Sequence, residues 1–122
     1  MAGLTNAESA ATLDARFPTT GGTDYVAYSA NGTSETTSLP RTAVGATGWA
    51  AATVADPSVK ANASSMTTAA ASAAVTVSHF AIFSASTGGT QRTDWQALGA
   101  SKALAIGDVA VWAVGALKVT LT

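Results

Sequence analysis

Hydrophobic and polar positions alternate most regularly near the C-terminal end of the chain. Across residues 117–121, Leu and Val alternate with Lys and Thr, which is the period of a half-buried strand. Gly107-Asp108 predicts a turn before this strand, and Gly115 predicts a break in it. From Thr23 onwards, short segments rich in Val, Thr and aromatic residues are separated by Gly, Pro, Asn or Asp. The pattern predicts a mostly β fold, a single antiparallel β-sandwich of jelly-roll type.

The N-terminal segment has a different pattern and predicts a short helix. Thr5 and Glu8 have the spacing of a capping box, and good helix formers follow as far as Arg16. Pro18 and the Gly21-Gly22 pair then end the helix. We therefore expect one domain over residues 1–122, in which 1–22 form an N-terminal helix and a linker.

Three further segments carry specific predictions. Residues 24–29 predict the first strand, and Asn31-Gly32 suits a type I′ hairpin turn that would lead into a return strand over 33–39. Residues 59–74 fit strands or, where alanine dominates, a helix; we favour strands because alternation follows without a break. Residues 95–102 predict a short strand and then a turn.

Composition limits the size of the core. The 122 residues are 48% hydrophobic and 11% charged, which indicates a folded chain, although much of the hydrophobic fraction is alanine. Burial of alanine stabilises far less than burial of a large side chain. Either a partner surface supplies what is missing, or a smaller core suffices in a protein from an alanine-rich genome. The large residues expected to carry the core are Trp49, Phe80, Ile82, Phe83, Trp95, Trp112, Leu117 and Leu121.

Charge and targeting features exclude several classes of partner. The net charge is −1, with six basic and seven acidic residues spread along the chain, so no basic patch for nucleic acid is expected. Cysteine is absent, and no apolar stretch has the length of a membrane span. The N-terminus also lacks the pattern of a secretory signal. We expect a cytosolic product that binds neither nucleic acid nor membrane.

No set of residues predicts a reaction centre. His79 is the only histidine, and a catalytic triad would need it beside a serine and one of the five aspartates without any nucleophile motif. The acidic residues are isolated, and neither glycine pair has the sequence of a phosphate loop. We therefore expect no enzyme, no metal and no cofactor.

The aromatic residues leave two interpretations open. Trp49, Trp95 and Tyr28 are candidates for an interface or for a ligand-stacking surface, as in a carbohydrate-binding module. Aromatic side chains are more often buried in a core. Exposure of at least two of these rings side by side would favour ligand binding.

The C-terminal half resembles a family of small tailed-bacteriophage virion proteins that are often labelled tail fibre or minor tail proteins. The resemblance lies in HFAIFSASTGG at residues 79–89, the Gly107-Asp108 turn, and the final strand from Gly115 to Leu121. Thr23 to Ser29 resembles the family's first strand. The chain departs from the family at Asn31-Gly32, where members carry a different turn, and over residues 39–74.

The resemblance implies a structural component of the virion, and two placements compete. Because the chain has no shaft repeats or coiled coil, we expect a capsid decoration protein that binds and stabilises the head surface. The alternative is a minor tail or tail fibre protein, or a carbohydrate-binding module for host adhesion. Expected partners are the major capsid protein or tail proteins of the same phage, together with further copies of the chain in a trimer or dimer.

Overall fold

The computed structural model describes residues 5–45, 47–55 and 57–121. Within these ranges the chain forms one helix and eight strands, and every strand pair is antiparallel. The predicted class, mostly β with antiparallel pairing and a short N-terminal helix, is confirmed. The elements are α1 (Asn6–Arg16), β1 (Tyr25–Ser29), β2 (Thr42–Ala43), β3 (Ser58–Ala61), β4 (Met66–Thr67), β5 (Val75–Phe83), β6 (Gln96–Leu104), β7 (Val111–Trp112) and β8 (Lys118–Leu121).

The described residues divide into two compact units. The first unit contains the described residues within 1–22, 44–65 and 113–122, and the second unit contains residues 23–43 and 66–112. The expectation of a single sandwich domain over the whole chain stays a prediction. Within the predicted N-terminal segment, the helix is confirmed and residues 1–4 lie outside the described ranges.

In the first unit, α1 packs against the β3–β8 pair. Thr5 caps the helix, because its Oγ1 accepts a hydrogen bond from the Glu8 N–H at 3.2 Å, as the capping pattern predicts. The helix buries Ala10 and Leu13, and Phe17 at its C-terminal cap is also buried. The helix contacts β3 of this pair, whose register runs from Ser58 opposite Leu121 to Ala61 opposite Lys118.

Asn62 joins the segments of the first unit at the end of β3. Its buried amide Nδ2 donates to the carbonyls of Ser64 and Ala113, both at 2.9 Å, and its Oδ1 accepts from Leu117 N–H at 3.0 Å. The Gly115 N–H donates to the Asn62 carbonyl, and Gly115 has φ +79°. The predicted break at Gly115 is confirmed, and β8 follows it with Leu117 and Val119 buried.

In the second unit, β1 and β5 form the centre of a four-stranded sheet of order β2-β1-β5-β6. Tyr25 pairs with Phe83, and Ser29 pairs with His79. Val26, Ala27 and Tyr28 are all fully buried, as are the facing residues of β5. A strand buried on both faces needs cover on both sides, and the β4–β7 ribbon supplies cover on one side, through a contact described below.

The predicted hairpin at Asn31-Gly32 is wrong. A type I′ turn needs positive φ at both central residues, whereas Gly32 has φ +77° and no described residue other than glycine has a positive φ. The Asn31 side chain instead accepts hydrogen bonds from the N–H groups of Thr33 and Ser34, at 2.9 and 3.0 Å. This local turn replaces the return strand over 33–39, and β1 pairs with β2 and β5.

The predicted turn over residues 99–102 lies inside β6. Val77 pairs with Lys102 and His79 with Ala97, so the four residues 98–101 lie opposite Ser78 alone. A bulge of this kind interrupts the ladder without ending the strand. In the 59–74 segment, the preference for strands is confirmed at β3 and β4, whereas residues 69–74 form neither helix nor strand. There Ala71 exchanges backbone hydrogen bonds with the 107–108 turn.

Candidate functional site

The three aromatic candidates do not form an exposed platform. Tyr28 is 0% exposed and Trp49 is 2% exposed. Trp95 is half-buried and packs against Phe83, with 6.1 Å between the ring centroids, while Trp49 packs against Phe17 at 5.6 Å. Two of the three rings therefore lack the free face that stacking on a sugar requires.

Tyr28 connects the two layers of the second unit. Its hydroxyl lies 2.6 Å from Thr42 Oγ1 in β2 and accepts a hydrogen bond from Trp112 Nε1 in β7 at 3.3 Å. The Tyr28 and Trp112 rings are stacked with centroids 6.0 Å apart. Burial raises the pKa of the Tyr28 phenol above its ordinary value, so the hydroxyl stays protonated near neutral pH. Tyr28 thus pins the β4–β7 ribbon to the sheet.

His79 is held by its neighbours in the second unit. Its Nδ1 lies 2.7 Å from Ser78 Oγ, and a Cβ at Gly32 would come within 2.9 Å of its Nε2. Asp24 forms an ion pair with Arg92, with 3.2 Å between Oδ1 and Nε. Asp24 precedes the first residue of β1, whereas His79 pairs with Ser29, the last residue of that strand, so the two lie at opposite ends of β1. Among the described residues, no group of three or more His, Asp or Glu could hold a metal ion.

Arg41, which the sequence did not indicate, donates four side-chain hydrogen bonds that join separate loops. Its Nε and Nη2 donate to the two carboxylate oxygens of Glu35, both at 2.8 Å, and its Nη1 donates to the carbonyls of Ala85 and Gly88, also at 2.8 Å. The guanidinium lies over the Phe83 ring, 3.9 Å from the centroid. The Glu35 carboxylate raises the pKa of Arg41 further above its ordinary value.

This Arg41 cluster fixes two loops on one side of the second unit. The loop that precedes β2 carries Glu35, and the loop that follows β5 carries Ala85 and Gly88. Between the loops lies an open groove of about 400 Å³. Its lining includes Thr36, Thr37, Ser86 and Thr87 together with the apolar residues Leu39 and Pro40. The Arg41 cluster therefore holds the two loops around a groove of mixed polar and apolar character.

Little in the local sequence indicates this cluster. Arg41 is one of six basic residues and follows Pro40, and nothing in its local pattern distinguishes it from a solvated arginine. Its partners lie 44 and 47 residues further along the chain, so only the β1–β5 pairing brings them together. Gly88 and Gly89, in the loop that supplies two of these acceptors, both have positive φ angles, which glycine adopts readily in turns.

The fold defines the chain as a small, mostly β protein with antiparallel sheets and one short N-terminal helix. The chain matches the model of a family described as Podophage GP4 fiber I protein gp80 over residues 4–120, and it belongs to this family. No curated protein matches it. No described helix has the length and apolar character to cross a membrane.

The family membership confirms the resemblance to tailed-phage structural proteins and identifies the chain as a component of the phage virion. It does not confirm the expected role in capsid decoration. The family description names a fibre protein, so the tail fibre alternative fits better than the head placement that was favoured from the sequence. The absence of shaft repeats had argued for the head, but a small β module can equally form one part of a fibre.

Proposed function

We propose that the chain is a non-enzymatic component of the phage tail fibre that binds other tail proteins of the same particle. The observation that carries this proposal is the match to a fibre protein family over nearly the whole chain. The proposed role needs neither cofactor nor metal, because rigid surfaces that fit other proteins are sufficient for it.

The structure offers two kinds of support. The Arg41 cluster holds two loops and the groove between them in fixed positions, which lowers the entropy cost of binding. His79 is engaged by Ser78 and packed by Gly32, so its surroundings are those of a structural side chain. The buried positions of Tyr28 and Trp49 give no support to the carbohydrate-binding alternative.

Reconstruction of the virion by electron microscopy tests the placement. We expect density for the chain on the tail, in contact with other tail proteins. Density on the head lattice would overturn the proposal and restore capsid decoration. Particles that lack the protein give a second readout. We expect them to release DNA at an unchanged temperature and to adsorb less well to host cells, whereas a decoration protein would have the opposite effects.

A further inference from the structure

The turn that follows β1 carries the pair Asn31-Gly32, whose chemistry the proposed function does not use. An asparagine followed by glycine is the pair most prone to deamidation, because no side chain hinders attack by the glycine backbone nitrogen on the asparagine side chain. The other two asparagines, Asn6 and Asn62, are each followed by alanine. Asn31 is therefore the asparagine whose sequence surroundings favour this reaction.

The fold requires the glycine of this pair. Gly32 has φ +77°, which side chains rarely permit, and a Cβ at this position would come within 2.9 Å of His79 Nε2. A larger residue that would slow the attack on Asn31 is thus excluded by the backbone and by the His79 ring. The reactive pair is built into the second unit.

The Asn31 side chain is held in a position that suits attack by the next residue. Its Oδ1 accepts hydrogen bonds from the N–H groups of Thr33 and Ser34, at 2.9 and 3.0 Å, and from Thr33 Oγ1 at 3.0 Å. These donors turn the side chain along the following backbone, towards Gly32. Negative charge develops on Oδ1 when a nitrogen adds to Cγ, and fixed donors stabilise that charge as in an oxyanion hole.

The hydroxyl of Ser29 contacts both atoms that exchange a proton in this reaction. Ser29 is fully buried at the end of β1, and its Oγ accepts the Gly32 N–H at 2.9 Å and donates to Asn31 Oδ1 at 3.0 Å. The Asn31 N–H also donates to it, at 3.2 Å. One hydroxyl therefore connects the nitrogen that must lose a proton with the oxygen that must gain one, which is the geometry of a proton relay.

We propose that Asn31 is a site of self-catalysed deamidation, in which Ser29 passes the Gly32 amide proton to Asn31 Oδ1 while the Gly32 nitrogen bonds to Cγ. The tetrahedral intermediate then collapses: the Cγ–Nδ2 bond breaks, the proton on Oδ1 passes to Nδ2, and ammonia leaves a succinimide. Asn31 is exposed, so water reaches the ring and opens it at either carbonyl, which gives aspartate or isoaspartate. The inference does not depend on where the virion carries the chain.

The products change the loop that leads from β1 to the Arg41 cluster. Either product adds one negative charge to a chain whose net charge is −1, and isoaspartate also adds a methylene group to the backbone. The same loop carries Glu35, Thr36 and Thr37, which line the groove between the two loops. The surface beside this groove therefore changes with the age of the protein.

Mass spectrometry of the purified chain tests the proposal. The tryptic peptide 17–41 contains Asn31 as its one asparagine, and deamidation replaces –NH₂ by –OH in it. We expect conversion to be faster in the folded chain than in the same chain unfolded in guanidinium chloride, which has lost the relay. Slower conversion in the folded chain would overturn the proposal, and this comparison needs no variant.

Two serine variants test the relay itself. We expect Ser29→Ala to slow conversion roughly tenfold, because proton transfer through the hydroxyl is lost. Ser38→Ala is the matched control, since the Ser38 hydroxyl bonds to neither Asn31 nor Gly32, and its rate should equal that of the wild type. An unchanged rate in Ser29→Ala contradicts the relay. Circular dichroism of each variant verifies that it is folded.

The pH dependence separates a relay from a serine that only shapes the turn. Without a relay, hydroxide removes the amide proton, so the rate in Ser29→Ala should rise in proportion to hydroxide, whereas the wild-type rate should rise less. The titratable groups near the turn are His79, whose ring lies over Gly32, and Glu35, which Arg41 holds. His79→Gln should therefore keep the wild-type profile. A fall in rate as large as that in Ser29→Ala would assign the proton transfer to the imidazole and overturn the relay.

Discussion

Among the residues that the structure describes, each unit contains one cation whose side chain is almost completely buried, and the two are held in different ways. Arg41 in the second unit has 7% of its side chain exposed, and it donates four hydrogen bonds and lies over an aromatic ring. Lys60 in the first unit is fully buried, and among the described residues its ammonium donates to Asp14 Oδ1 at 2.6 Å. Asp14 has 42% of its side chain exposed.

The difference follows from the chemistry of the two side chains. A guanidinium is a planar group with five donors, so it can bind a carboxylate and backbone carbonyls together and hold separate loops. An ammonium is a compact charge, and here it fastens α1 to β3 through one carboxylate that water partly solvates. We infer that Arg41 organises its unit, whereas Lys60 is a tether whose charge the first unit can lose.

Removal of the Arg41 side chain should have the largest effect. Arg41→Ala leaves the Glu35 carboxylate and the carbonyls of Ala85 and Gly88 without their donor, and we expect a loss of about 3–5 kcal/mol in the free energy of unfolding. Arg41→Lys should recover only part of it, because lysine cannot make the bidentate contact. Urea denaturation measures both. A full recovery with lysine would contradict the role assigned to the guanidinium.

Loss of the acidic partner in the first unit should have a smaller effect. Asp14→Asn removes the negative charge opposite Lys60. It also weakens the acceptor of the Ala52 N–H, whose nitrogen lies 2.9 Å from Asp14 Oδ1 in the wild-type structure. Because Asp14 is partly exposed, we expect about 2 kcal/mol, below the cost for a fully buried pair. Thr12→Asn, on the same helix and exposed, is the control. An equal loss in the two variants would indicate a general helix effect.

Acidification should reveal the same tether without a mutation. The hydrogen bond from Lys60 holds the pKa of Asp14 below its ordinary value of 3.8, and the Ala52 N–H adds to this effect. A carboxyl group whose pKa is lower in the folded state than in the unfolded state stabilises the fold at pH values above the unfolded-state pKa. This contribution to stability is lost as the pH falls through the folded-state pKa. The difference in stability between wild type and Asp14→Asn should therefore shrink from pH 6 to pH 3. A constant difference would contradict this linkage.

Replacement of Lys60 itself should have the smallest effect. Lys60→Met keeps most of the buried volume and removes the charge that must be desolvated, and the remaining Asp14 carboxylate can be solvated. We expect a change within about 1 kcal/mol. The matched change Arg41→Met should remain strongly destabilising, because several buried acceptors lose their donors. Similar results for the two methionine variants would remove the distinction between the cations.

Local sequence patterns predicted those parts of the fold that depend on local chemistry. Thr5 and Glu8 marked the start of α1, and the alternation over 117–121 marked β8, since capping and side-chain period act within a few residues. The hairpin at Asn31-Gly32 was wrong because the Asn31 side chain satisfies the following N–H groups itself. β1 pairs with β2 and with β5, and the pairing with the distant β5 is one that no local pattern could identify.

The candidate site was less predictable than the fold. Tyr28, Trp49 and Trp95 have similar sequence surroundings, yet the structure buries the first two and leaves the third half-buried. Their burial depends on strand pairing over long distances. Arg41 was missed for the same reason, because two of its acceptors, the carbonyls of Ala85 and Gly88, lie in the loop that follows β5. Contacts between distant segments therefore decide which side chains are available for binding.

The pairing of distant strands also determines when the chain can fold. β1 pairs with β5 and β3 pairs with β8, and the paired residues are roughly fifty to sixty positions apart. During synthesis at about 5–20 residues per second, β1 and β3 emerge from the ribosome several seconds before their partners. Neither unit can close until its later strand has emerged, so the nascent chain exposes its apolar strands for that time. Each unit of this virion component therefore folds only after the ribosome has released its later strand, and not as its first strands emerge.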